Sequence, residues 1–129
     1  MKRKTVWDKC SKYNRLKDAD HAGYVACCCC GKVKHYSEMD AGHFLPRTKS
    51  KSLYFEPTNI HAQCSGCNRN RFDAETAKIG YTLFMMRRYG KVRVETLIAQ
   101  SRVPYRERAT DLDGWNQFYT DKLKELDNA

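Results

Sequence analysis

The spacing of apolar residues changes at residue 73. Beyond it, Ala74, Ala77, Tyr81, Phe84, Met85 and Tyr89 recur every three or four positions behind Asp73, a fitting N-cap, and Gly90 supplies a stop. Val94, Leu97 and Ile98 predict a short second helix; Leu112, Trp115, Phe118 or Tyr119, Lys122 and Leu126 predict a third. Core packing accounts for such stripes without any cofactor, and a dimer seam is their alternative use. Before residue 73 only residues 3–18 keep this period, through Val6, Cys10, Tyr13 and Leu16 or Lys17, which predicts an amphipathic helix packed on the cysteine-rich region that follows. Residues 33–44 read as a hairpin turning near Ser37-Glu38 and running into Asp40-Ala41-Gly42-His43, with Leu45-Pro46 ending the strand. Residues 47–52 are polar, basic and without period, hence a surface loop. Short extended pieces at 53–55 and 59–63 surround Pro57, and a helix is expected to open near Asn68. The pattern is that of an α+β chain, read as one domain: an N-terminal helix in 1–22, a small ββα core in 23–72 and a helical part in 73–129.

Composition narrows the class. A chain of 129 residues leaves little room for a second domain, and 41% apolar residues can fill a modest core, which excludes wholesale disorder. The most apolar window, residues 79–86, is interrupted by Gly80 and Thr82 and falls far short of the ~18 residues a membrane span needs. The basic start Met1-Lys2-Arg3-Lys4 runs into Thr5-Val6-Trp7-Asp8 instead of an apolar signal core, so a cytoplasmic, reducing location is expected.

Seven cysteines are an odd number, and six lie in two tight clusters, Cys27 to Cys30 and Cys64-Ser65-Gly66-Cys67. Two Cys-x-x-Cys knuckles fit one tetrahedral zinc better than a disulfide framework, and a core this thin needs such a clamp. The expected ligands are Cys27, Cys30, Cys64 and Cys67, with Cys28 and Cys29 as alternatives in the first cluster and Cys10 left over. Charge is just as uneven. Up to Arg71 there are 14 basic against 6 acidic residues, and beyond it 10 against 9, so nearly all of the net +9 sits in the first part. Such a distribution is the footprint of a phosphate-bearing partner, nucleic acid foremost, its plain alternative being a solvated basic face.

In order along the chain stand Cys27-x-x-Cys30-Gly31, Asp40-Ala41-Gly42-His43-Phe44-Leu45-Pro46, Asn59-Ile60-His61-x-Gln63-Cys64 and Cys67-Asn68-Arg69. This series resembles the HNH, or ββα-metal, nuclease superfamily. With Val6-Trp7 it is most similar to the NinG (Rap) recombination proteins of lambdoid phages, from about residue 6 to the C-terminal helices. It is also similar to phage endonuclease VII, a junction resolvase in which an Asn directly follows the second knuckle. The resemblance implies a zinc-stapled ββα-metal core and a Mg²⁺- or Mn²⁺-dependent endonuclease. Its substrates would be branched recombination intermediates such as D-loops and Holliday junctions.

The chemistry of the residues agrees. Phosphodiester hydrolysis needs a base for water, a cation for the developing charge and positive groups to hold the backbone. His43 is the expected base, since an imidazole titrates near neutrality. Asn59 is expected to orient His43 or to pin the loop through its amide. By the resemblance to endonuclease VII, Asn68 would bind the catalytic ion through its carbonyl oxygen, a donor suited to a hard cation. Asp40 is the natural carboxylate partner, although it lies three residues before His43, where the superfamily places a ligand immediately before its base. Gly42 fills that position without a side chain, so Asp40 would have to reach the ion through a bulge or bend. His61 is the alternative ligand, its other reading being packing on the zinc knuckle. Arg47, Lys49, Lys51, Arg69 and Arg71 are expected to grip phosphates beside the cut. No long recognition helix or finger repeat points to base-specific readout. Symmetric cuts across a junction would call for two active sites, hence a homodimer. Two further readings remain: a zinc-stapled DNA-binding recombination adaptor without cleavage, which would need neither His43 nor Asn68, and an RNA-binding knuckle, for which a stacking platform is not evident.

Overall fold

The computed structural model describes residues 1–46, 48, 51–69 and 73–128. Its elements are α1 (Arg3–Leu16), β1 (Tyr24–Ala26), β2 (Val33–His35), β3 (Asp40–His43), β4 (Ile60–Gln63), α2 (Ser65–Asn68), α3 (Ala74–Tyr89), α4 (Lys91–Ser101) and α5 (Ala109–Asp127), with 3-10 turns at Tyr36–Glu38, Lys51–Leu53 and Pro57–Asn59. The α+β expectation holds: an N-terminal helix, two small hairpins carrying the cysteines, and C-terminal helices. No helix among the described residues is long and apolar enough to cross a membrane.

The strands pair differently from the expected single hairpin over residues 33–44. β2 turns back onto β1, with Val25 opposite Lys34, while β3 pairs forward with β4, with Asp40 opposite Gln63 and His43 opposite Ile60. The turn between β2 and β3 is a 3-10 turn started by His35, whose Nδ1 accepts from the Ser37 amide at 3.3 Å, and Met39 follows it into the core. A tight β-turn would have folded β3 onto β2; this one redirects the chain. The polar-looking β4 is buried at all four positions, because helices cover both of its faces.

α1 departs from expectation in its partner. It buries Val6, Cys10 and Asn14 against α5 and the β3–β4 hairpin, within a cluster containing Phe55, Ile60 and Tyr119, instead of packing on the cysteine knuckle. The aromatic stripe of α5 provides the large apolar surface that α1 covers, a pairing across the whole chain that local spacing cannot announce. Lys17, just past α1, sends its ammonium to Asn14 Oδ1, Pro57 O and Ile60 O at 2.7–2.8 Å, which fixes the helix to the approach of β4.

α3 follows its stripe closely. The Asp73 carboxylate accepts from the amides of Glu75 and Thr76, Ala77, Tyr81 and Met85 are buried, and Gly90 ends the helix at φ +85°, a conformation that disfavours any side chain. A second apolar cluster joins α3 to α4 and to the Lys51–Leu53 turn through Phe44, Leu53, Val94 and Leu97.

Candidate metal centre and neighbouring cavity

The Sγ atoms of Cys27, Cys30, Cys64 and Cys67 all lie within 4.8 Å of one another. Zinc–sulfur bonds of about 2.3 Å in a tetrahedron put sulfurs about 3.8 Å apart, and Cys30 and Cys64 are separated by 3.8 Å. Four sulfurs gathered this closely fit zinc in a closed, structural site. The turns that present them are fixed by backbone bonds, Gly31 N to Cys27 O in the first and Asn68 N to Cys64 O in the second, both at 2.9 Å. Cys28 faces Tyr81 and Met85, and the Cys29 sulfur accepts from Gln63 Nε2 at 3.1 Å, which leaves Cys27 and Cys30 as the first pair. Cys10 is buried in α1 beside Asn14, where desolvation pushes its thiol up to about 12. Among the described residues no other set of three or more Cys, His, Asp or Glu side chains gathers in this way.

His43 ends β3. Its Nε2 lies 2.8 Å from the carbonyl oxygen of Tyr54, and the Trp7 indole stacks on the ring at 5.3 Å with planes 17° apart. A carbonyl can only accept, so in the neutral ring Nε2 carries the proton and Nδ1 is the basic nitrogen. Asn59 is fully buried. Its Oδ1 accepts from Leu45 N at 2.9 Å and its Nδ2 donates to Leu45 O and Leu53 O at 3.2 and 3.3 Å. These bonds shape the backbone on either side of the loop that returns Tyr54 to His43.

Asn68, at the end of α2, donates from Nδ2 to Asp40 Oδ2 at 3.0 Å, and Arg69 Nε reaches the same oxygen at 3.2 Å. The β3–β4 ladder runs in register from Asp40 to His43 without the bulge expected for Asp40. Alternation therefore turns Asp40 and His43 to opposite faces of the strand. Gly42 serves another purpose: a Cβ there would lie 1.7 Å from Gln63 Oε1, so the missing side chain makes room for Gln63. His43 and Asn68 line one cavity of about 650 Å³, walled also by Trp7, Gln63, Lys78 and Tyr81, while Asp40 is not in its described lining.

The His61 ring packs among those of Tyr81, Phe84 and Tyr89. It lies buried under α3, with Nδ1 3.2 Å from Tyr81 Oη and Nε2 2.6 Å from Tyr89 Oη. Tyr81 in turn donates to Gly42 O at 2.7 Å, so its oxygen accepts from His61 Nδ1–H and Tyr89 donates to Nε2. Burial pulls this imidazole down to about 2, and Lys17 and Arg88 add to the effect. A neutral histidine with both nitrogens bonded is a core residue.

Of the expected phosphate contacts, Lys51 is exposed and lines a second cavity beside Tyr54, and Arg69 pairs with Asp40. Arg47, Lys49 and Arg71 lie outside the described residues. Sequence reading missed how His43 is held. Trp7 sits beside the apolar stripe of α1 and was visible only as half of the Val6-Trp7 pair. The Tyr54 acceptor is a backbone carbonyl, which leaves no mark in sequence.

Fold and site together define a small α+β protein organised by a four-cysteine centre of the zinc-binding kind. The family model for the bacteriophage lambda NinG protein matches residues 3–129, and the chain belongs to that family. It is 25% identical over 134 residues to Protein ninG of Escherichia phage 933W, covering 100% of this chain and 62% of that relative. Protein ninG of Escherichia phage lambda is 25% identical over 134 residues, with 100% and 61% covered. Protein ninG of Salmonella phage P22 is 24% identical over 131 residues, with 98% and 60% covered. The chain thus spans about three fifths of the length of these curated relatives. No solved structure matches it.

Proposed function

We propose that this chain is a metal-dependent endonuclease of the HNH kind that cuts branched DNA in the cytoplasm of a phage-infected bacterium, working as a homodimer. The observation that carries this reading is the shared cavity of His43 and Asn68, with the His43 ring held in the tautomer that makes Nδ1 basic. In that role Nδ1 takes a proton from water as the water oxygen attacks phosphorus and the bond to the leaving sugar oxygen breaks. Trp7 and the Tyr54 carbonyl keep the ring from turning away. Asp40 and Asn68, whose side chains meet, offer a carboxylate and an amide oxygen, a hard donor set suited to Mg²⁺ or Mn²⁺, which often keeps waters and substrate phosphate as its other ligands. Bound there, such a cation would supply charge neutralisation at the phosphate and the leaving oxygen. Lys78 in the cavity wall and Lys51 nearby add positive charge for the backbone, with Arg47, Lys49, Arg69 and Arg71 in the same role by sequence.

One observation favours the adaptor reading: Arg69 already pairs with Asp40 and partly neutralises the carboxylate that a catalytic ion would need. The deciding experiment incubates the protein with linear duplex, single strand, D-loop and four-way junction in Mg²⁺, Mn²⁺ or EDTA, beside His43→Ala. Cleavage by wild type alone, with metal, is expected. Junction binding by both proteins without cutting in any metal establishes the adaptor.

A further inference from the structure

The molecule carries a second concave surface of which the hydrolytic reading uses only Lys51. It lies behind Tyr54, where a cavity of about 470 Å³ is lined by Arg3, Lys51, Tyr105 and Arg106, and it continues into one of about 280 Å³ that Arg102 joins. Thr48 lines both of these cavities and that of His43 as well, so the three follow one another across the surface. Tyr54 stands at the junction, its ring 5.2 Å from that of His43 on one side and under the Arg3 guanidinium at 3.9 Å on the other.

The wall of this cleft is the linker between α4 and α5, and it is built to keep its shape. The amides of Arg102 and Val103 bond back to α4 at 3.1–3.2 Å, and Arg108 N donates to Asp111 Oδ2 at 2.9 Å. Tyr105 Oη donates to the same carboxylate at 3.1 Å, and Arg3 pairs with Glu107 at 3.2 Å. Tyr105 nonetheless keeps 37% of its surface exposed. Among the described residues, four cations thus line the cleft against one carboxylate, Glu107, whose pairing with Arg3 leaves Lys51, Arg102 and Arg106 for phosphates. A phosphate backbone entering it meets a wall whose ordering cost has been met.

We infer that this cleft binds a single DNA strand continuing from the cavity of His43, with phosphates on Lys51, Arg102 and Arg106 and a base against Tyr105. The reasoning rests on the nuclease reading for its direction, but the binding itself does not need cleavage. Concavities of this size are too small for a duplex, whereas a positive groove with an aromatic face is the arrangement that holds unpaired strands. It also gives a physical basis for preferring branched DNA: a branch supplies a strand that has left its partner.

The test measures binding in EDTA by fluorescence anisotropy, using blunt duplex, single strand and a duplex with a single-stranded flap. The proteins are wild type, Arg102→Ala with Arg106→Ala, Tyr105→Ala and Tyr105→Phe, each checked for an unchanged melting temperature. The double variant is expected to lose about tenfold or more in affinity for single strand and flap, with a salt slope for single strand lower by about 1.4. Tyr105→Ala is expected to lose at least about fivefold, and Tyr105→Phe to retain affinity because it keeps the ring. Blunt duplex affinity should hardly change. Unchanged flap affinity in folded variants, or an equal loss on all three substrates, overturns the inference. If the variants lose flap binding while wild type never cuts with any metal, the cleft stands and the nuclease fails. If wild type cuts and the variants bind and cut like it, the nuclease stands and the cleft fails.

Discussion

The imidazole of His43 lies 2.8 Å from the carbonyl of Tyr54, which places the proton of the neutral ring on Nε2. His43→Ala should therefore lower cleavage by about 10²–10⁴-fold while DNA affinity in EDTA stays within about twofold. On the proposed function, Trp7 would be a positioning residue, since it stacks on the His43 ring. Trp7→Leu is expected to lower kcat with KM nearly unchanged, and Trp7→Phe to recover part of the loss, as single-turnover assays would show.

Asp40→Asn removes the only carboxylate that meets Asn68 among the described residues. The Mg²⁺ concentration for half-maximal cleavage should rise at least about tenfold. Because the Arg69–Asp40 pair is largely exposed on its arginine side, the stability change should stay within about 1 kcal/mol. An unchanged metal titration would remove Asp40 from the site.

The sulfur cluster predicts one zinc per chain by metal analysis. Cys64→Ser should lose both the metal and cooperative unfolding, since removing a ligand from such a site forfeits much of its folding free energy. Cys10→Ala should keep the full stoichiometry, its thiol being enclosed between α1 and α5.

Acid should weaken the fold through His61. The folded protein keeps this ring neutral down to about pH 2, whereas the unfolded chain takes up the proton near 6.5. Below 6.5 the unfolded state binds more protons, so stability falls as pH drops and gains nothing from this group above that point. By linkage the loss between pH 7.5 and 5.5 is about 1.4 kcal/mol. Urea unfolding at the two values should show that difference in wild type and not in His61→Phe.

Two helical glycines should respond oppositely to alanine. At Gly80 of α3 a Cβ would lie 2.2 Å from the Cys29 carbonyl oxygen, a backbone atom beside the zinc knuckle, while at Gly114 of α5 it meets nothing within 4 Å. Gly80→Ala is expected to destabilise by about 2 kcal/mol or more despite its better helix propensity, and Gly114→Ala to stabilise by about 0.5–1 kcal/mol. Thermal melts of both variants check the pair.

What sequence revealed depended on whether the signal was local. The helix of Asp73, Tyr81 and Gly90 was legible because cap, stripe and stop all lie within one element. The four thiols were legible from their spacing, and the structure chose Cys27 and Cys30 over their neighbours by turning Cys28 into the apolar cluster. Strand pairing was not. Residues 33–44 hold two strands of different sheets, and only partners outside that window, β1 and β4, decide it. For His61 the sequence offered a metal ligand or packing on the zinc knuckle; it is buried, but its partners Tyr81 and Tyr89 come from α3, which local spacing on β4 cannot show. A bulge or bend was expected to bring Asp40 to an ion, but the ladder stays regular and Gly42 gives its space to Gln63.

Cys30 and Cys64 stand 34 positions apart and meet in the sulfur cluster, so a zinc ion held there would make the segment bearing His43, Tyr54 and Asn59 a ring fastened at its base. Within it, the link from His43 to Tyr54 closes a smaller ring. Lengthening a tied loop is inexpensive, about 0.6 kcal/mol for each doubling. Residues inserted near Thr48, between the anchored positions Leu45 and Leu53, should thus leave the imidazole and the fold in place, which a thermal melt of the insertion variant checks.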